Sequence, residues 1–137
     1  MGAVGFATRE RGKDAQEAFR RAHDEAAWEH GHGGYTGTIA EKWGFVMARG
    51  FAGSGLTPDQ YAALIASAHP DDYGEDDSDD LIYAWTWDAP ARKEVRGAPL
   101  TDDQVADKRA WDDKWGPALC IPTGVEGEYL FCGLASL

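Results

Sequence analysis

A chain of 137 residues with 43 % hydrophobic content and six tryptophans is long and apolar enough for one folded domain. Its formal net charge of −11 argues against direct nucleic-acid binding, which needs a basic face to neutralise phosphates. No apolar run approaches the ~18 residues that span a bilayer. Residues 1–6 also lack the basic n-region of a signal peptide, so a cytoplasmic protein with no membrane partner is expected.

The predicted elements, in chain order, describe an α+β domain. Residues 3–8 form a short edge strand or an ordered arm. Asp14-x-x-Glu17 is a capping box that opens a helix with the apolar stripe Ala15, Ala18, Phe19, Ala22 and Ala26. Gly31 stops that helix after His30. Beyond the Gly-rich stretch that follows, residues 38–48 read as extended, with Thr38, Ile39, Trp43, Phe45 and Val46 as strand formers. Residues 49–55 are a connector; Gly53-Ser54-Gly55 lacks the strand–turn–helix setting of a nucleophile.

Thr57-Pro58-Asp59-Gln60 opens a second helix, with Tyr61, Leu64, Ile65 and Ala68 as its stripe, and His69-Pro70 ends it. Residues 71–80 hold seven carboxylates in a pattern that does not match a calcium loop, and read as a solvated acidic loop. Residues 81–87 alternate as a strand. Tyr83, Trp85 and Trp87 share one face, expected to be core, and Ile82, Ala84 and Thr86 share the other, expected beneath a helix. A short basic patch from Arg92 to Arg96 follows. Thr101-Asp102-Asp103-Gln104 opens a third helix that runs towards Trp115, which puts Trp111 and Trp115 on one face.

The C-terminal residues 118–134 form a hairpin. A three-residue loop, Val125-Glu126-Gly127, sets Thr123 opposite Tyr129 and Cys120 opposite Cys132, as two buried reduced thiols on one face. The whole is expected to be an antiparallel sheet of about four strands with about three helices packed on one side.

The candidate site is the glycine-rich loop. Its N–H groups, uncovered by side chains, suit an anion. His32, Gly33, Gly34, Tyr35, Thr36 and Thr38 would surround a small nucleotide-like ligand. Lys42 or Arg92 would supply charge to its phosphate, and Trp85 or Trp115 a stacking surface. Neither phosphate-loop nor dinucleotide-fold spacing is present. No nucleophile lies beside a base, and Glu25, Glu29, His30 and His32 lack metal-ligand spacing. Catalytic residues, metal ligands and a cofactor are therefore not assigned. Sites of this kind often lie between subunits, so a homo-oligomer is a further expectation.

Gly33-Gly34-Tyr35-Thr36-Gly37-Thr38-Ile39-Ala40-Glu41-Lys42, with Lys114-Trp115-Gly116-Pro117-Ala118 and Tyr129-Leu130-Phe131-Cys132-Gly133-Leu134-Ala135-Ser136, resembles small accessory proteins encoded by bacteriophages and prophages. The resemblance covers both ends of the chain and leaves the acidic middle unmatched. It implies the host cytoplasm and a role against host defence, by sequestering a nucleotide signal molecule without catalysis. One alternative is an acidic protein that imitates nucleic acid to inhibit a defence protein, through residues 71–80 with Asp102, Asp103, Asp112 and Asp113. A second is a small enzyme that uses His30 or His32.

Overall fold

A computed structural model describes residues 2–31, 34–70 and 81–137. Strands β1 (Ala3–Arg11), β2 (Phe45–Met47), β6 (Ala118–Pro122) and β7 (Glu128–Ser136) form one sheet, in the order β1-β7-β6-β2. Strands β3 (His69–Pro70), β4 (Ile82–Asp88) and β5 (Lys93–Pro99) form a second sheet in that order. Helices α1 (Ala15–His30), α2 (Pro58–Ser67) and α3 (Asp102–Asp112) complete an α+β domain. Among the described residues no helix is long and apolar enough to cross a membrane.

Local chemistry accounts for the helix ends. Thr57 Oγ1 accepts from Gln60 N at 3.2 Å while Gln60 Oε1 accepts from Thr57 N at 3.0 Å. Thr101 and Gln104 repeat the arrangement at 3.3 and 3.0 Å. Each reciprocal box satisfies two amide groups that a helix start leaves without partners. At α1, Asp14 accepts from Glu17 N at 2.9 Å, but the Glu17 carboxylate reaches one residue further back, to Lys13 N at 3.3 Å. Gly31 closes α1 with φ +85° and donates its N–H to Ala27 O. Helix α3 stops at Asp112, short of the predicted end, so Trp111 is buried in the core while Trp115 lies beyond the helix and exposed.

The large sheet is mixed, because β2 runs parallel to β6 while β1–β7 and β6–β7 are antiparallel. Where residues 38–48 were expected to be extended, only Phe45–Met47 is strand, after a single 3₁₀ turn at Ile39–Glu41. Thr38 Oγ1 caps that turn by accepting from Ala40 N at 3.2 Å, a local bond that competes with any sheet ladder.

The helices divide between the two faces of the sheet instead of sharing one. Ala18 and Ala22 of α1 pack with Ile39, Ala118, Cys120 and Phe131. Tyr61 and Ile65 of α2 and Trp111 of α3 pack with Leu119, Ile121, Leu130 and Cys132 on the opposite face. The hairpin register explains the division. Leu119 pairs with Cys132 and Cys120 with Phe131, one residue away from the expected pairing. The loop takes four residues, 124–127, with both Gly124 (φ +87°) and Gly127 (φ +75°) left-handed. A one-residue slip exchanges faces along a strand, so the two thiols point to opposite cores.

In the small sheet, Ile82 and Ala84 of β4 pack against the α2 side as expected. The Tyr83, Trp85 and Trp87 face is not core. His69 stacks on Trp85 with ring centres 4.6 Å apart, Arg96 lies over Tyr83, and Trp87 is 65 % exposed. A polar side chain therefore covers each of two of these rings, His69 on Trp85 and Arg96 on Tyr83.

Candidate functional site

The glycine-rich loop does form a concave set of donors, and a carboxylate of the same chain fills it. Glu41 accepts from Tyr35 N at 2.8 Å, Thr36 N at 3.1 Å and Thr36 Oγ1 at 2.7 Å, with Ser136 Oγ at 3.5 Å. Thr36 Oγ1 also lies 2.8 Å from Thr38 Oγ1. Gly34 (φ +77°) and Tyr35 (φ +58°) take left-handed conformations that aim these amides inward. The loop is thus an anion cradle already supplied with its anion. A phosphate would have to displace Glu41 and then face its charge. Among the described residues, the Tyr35 and Thr36 donors expected from sequence to hold phosphate are thus occupied by Glu41.

Burial alone would raise the Glu41 carboxyl. The Thr36 hydroxyl, the Thr36 and Tyr35 amides and the Ser136 hydroxyl outweigh that effect and hold it below its ordinary 4.5. Between the lowered folded value and 4.5 the unfolded chain binds more protons, so stability rises with pH there. The contribution of Glu41 is complete above 4.5 and is lost as pH falls through the folded value. Glu41→Gln is expected to cost about 1–3 kcal/mol at neutral pH. It should also flatten the stability–pH slope just below pH 4.5, read by urea melts at each pH. An unchanged slope would exclude this role for the carboxylate.

Lys42 is not a surface cation. It is 1 % exposed, and its Nζ donates to the Asp113 and Lys114 carbonyls at 3.0 and 3.4 Å, just past the end of α3. A cation is favourable at the negative end of a helix. Burial lowers its pKa against a smaller opposing effect of Asp113. Its role is to fasten the segment after the 3₁₀ turn onto residues 113–114.

Beside Lys42 in the chain, Trp43 Nε1 donates to Trp115 O at 3.1 Å, and Trp115 meets Tyr35 edge-on with centres 6.3 Å apart. Tyr35, Trp43 and Trp115 are 51 %, 73 % and 57 % exposed. Trp43 also walls a cleft of about 590 Å³ that opens between α1 and residues 42–43. Lys13, Gln16, Arg20 and His23 line its other side, with Phe19 beneath. The two acids at this rim are engaged, Asp14 as the helix cap and Glu17 with Lys13 N and Arg21. The cleft therefore sets Lys13 and Arg20, with Gln16 and His23, across from an indole, and also carries the partnered carboxylates of Asp14 and Glu17.

Of the residues selected from sequence, Tyr35 and Trp115 come together, and Lys42 is buried. Tyr35 and Thr36 hold Glu41, Thr38 bonds Thr36, and Gly34 takes the left-handed turn before them. Trp85 and Arg92 belong to the small sheet: Trp85 Nε1 donates to His69 O at 3.0 Å, and Arg92 (φ +54°) lies in the β4–β5 turn. His32, Gly33 and the acidic residues 71–80 lie outside the described residues. The α1 side of the cleft was missed. Its signal was present as a polar stripe, Gln16, Arg20 and His23 at helical spacing, flanking the alanine stripe. Among the described residues no group of three or more ligating side chains could hold a metal ion. Comparison with family models, curated proteins and solved structures finds no match for this chain.

Proposed function

We propose that the protein binds a small nucleotide-like anion in the cleft between α1 and Trp43, and sequesters it without converting it. The observation that carries this reading is the clustering of Lys13, Arg20 and His23 opposite an exposed indole in a strongly acidic chain. Guanidinium and ammonium groups recognise phosphate, and indole stacks on a base. The cleft volume falls in the range of sites for small organic ligands.

Binding without covalent chemistry agrees with the state of the nucleophiles. Burial pushes the Cys120 and Cys132 thiols up to about 12, and Ser54 Oγ donates to Phe51 O at 2.7 Å within a turn. In the phage setting that the resemblance implies, such a protein would act by removing a nucleotide signal from the host cytoplasm.

Titration of the intrinsic tryptophan fluorescence with AMP, GMP and ATP tests the proposal. Arg20→Glu is expected to weaken binding roughly tenfold to a hundredfold, because a charge-assisted contact becomes a repulsion. Affinity indifferent to Arg20→Glu and Lys13→Glu would overturn it. Charge reversal in residues 71–80 is expected to leave binding unchanged, whereas the nucleic-acid-mimic alternative makes those residues essential.

A further inference from the structure

The rings around Trp43 make two stations of similar chemistry. In the first, Trp43 stands across the cleft from Lys13, Arg20 and His23. In the second, Trp115 lies beside Tyr35, and Lys114 Nζ is 5.2 Å from the Trp115 ring centre. The hydrogen bond from Trp43 Nε1 to Trp115 O at 3.1 Å joins the two. A scattered surface tryptophan is ordinary. Here both indoles are exposed, and the first shares its cleft with Lys13 and Arg20. The second has Lys114 over its ring, and Lys42 binds the carbonyls of Asp113 and Lys114 just before Trp115. That is the composition of a stacking platform for successive bases.

A mononucleotide would occupy the first station and leave the second in water. We infer that the ligand is a dinucleotide, with one base against Trp43 in the cleft, the other on Trp115, and the linking phosphate matched by the cations of the two stations. The inference rests on the binding function proposed above. Once the first base is seated, the second binds at a high effective concentration, so the second station multiplies affinity.

Affinities of AMP and GMP are to be compared with those of the linear dinucleotides pApA and pGpG by calorimetry, for the wild-type protein and for Trp115→Ala. This substitution keeps the backbone carbonyl that accepts from Trp43 and removes a 57 %-exposed side chain, so the cleft is retained. The expected result is a dinucleotide that binds at least tenfold more tightly than its mononucleotide, an advantage that Trp115→Ala erases with mononucleotide affinity unchanged. Equal mono- and dinucleotide affinities, or an advantage that survives Trp115→Ala, would overturn the inference and leave the cleft as a mononucleotide site. Loss of mononucleotide affinity in Trp115→Ala would overturn the separation into two stations. Failure of all four probes to bind would overturn both the inference and the function it rests on.

Discussion

Asp107→Ala is expected to destabilise the fold by about 3–5 kcal/mol. Asp107 is 2 % exposed and lies on the inner face of α3. Its two oxygens accept from Arg49 N at 2.8 and 3.0 Å, from Gly50 N at 2.9 Å and from the Tyr61 hydroxyl. One carboxylate thus ties the connector after β2 to both α2 and α3. Burial and this carboxylate push the Tyr61 phenol far above its ordinary value, so Tyr61 stays a donor. Alanine would leave two amides and a fully buried phenol without an acceptor. Gly50 permits the close approach: a Cβ there would meet Tyr61 Oη and Gln104 Cγ at 2.6 Å. The urea midpoint should fall by at least about 1 M with an unchanged slope. Tyr61→Phe removes one donor and keeps the amide bonds, and is expected to cost about 1–2 kcal/mol. A loss below about 1 kcal/mol for Asp107→Ala would show that water replaces the carboxylate.

Phe131→Ala should cost a similar 3–5 kcal/mol, by a different route. Its ring is fully buried and meets Phe19 at 5.6 Å and Phe45 at 5.7 Å, both edge-on, while Phe19 and Phe45 lie 5.5 Å apart. These three rings fill the space between α1 and the sheet, and Phe19 also forms the floor of the cleft. Truncation at Phe131 therefore opens a cavity behind the site and lets Phe19 move into it. On the binding function proposed above, nucleotide affinity should fall although no residue lining the cleft has changed. Phe131→Leu refills most of the volume and should recover most of both losses. Equilibrium unfolding and ligand titration of the two variants distinguish the outcomes. Undiminished affinity in Phe131→Ala would separate the cleft from this core.

What could be read from the sequence was decided within a few residues. The Thr57 and Thr101 boxes, the Gly31 stop and the alternation of β4 each depend on chemistry within about a turn or a pleat. The hairpin loop was ambiguous by one residue, because Gly124 and Gly127 both accept left-handed conformations. The contact that helps place Gly127, a hydrogen bond from Gly12 N at 2.9 Å, comes from the far end of the chain. Lys42 read as a phosphate cation because nothing near it in sequence would bury it. The carbonyls that do so are about seventy residues away, at the end of α3. The site itself was half legible. Tyr35 and Trp115 were selected, but Lys13 precedes a helix and Arg20 lies on that helix beside the alanine stripe, which reads as its packing face.

The offset of the two cysteines has a consequence for the covalent history of the molecule. A disulfide requires side chains that converge, and Cys120 and Cys132 project through opposite sides of the sheet. Only a hairpin shifted by one residue would bring the sulfurs face to face. Oxidation to an internal bridge would therefore trap the misaligned hairpin and leave the native one unmarked. The native strand alignment makes the fold indifferent to redox conditions, with no cross-link to gain and none to lose.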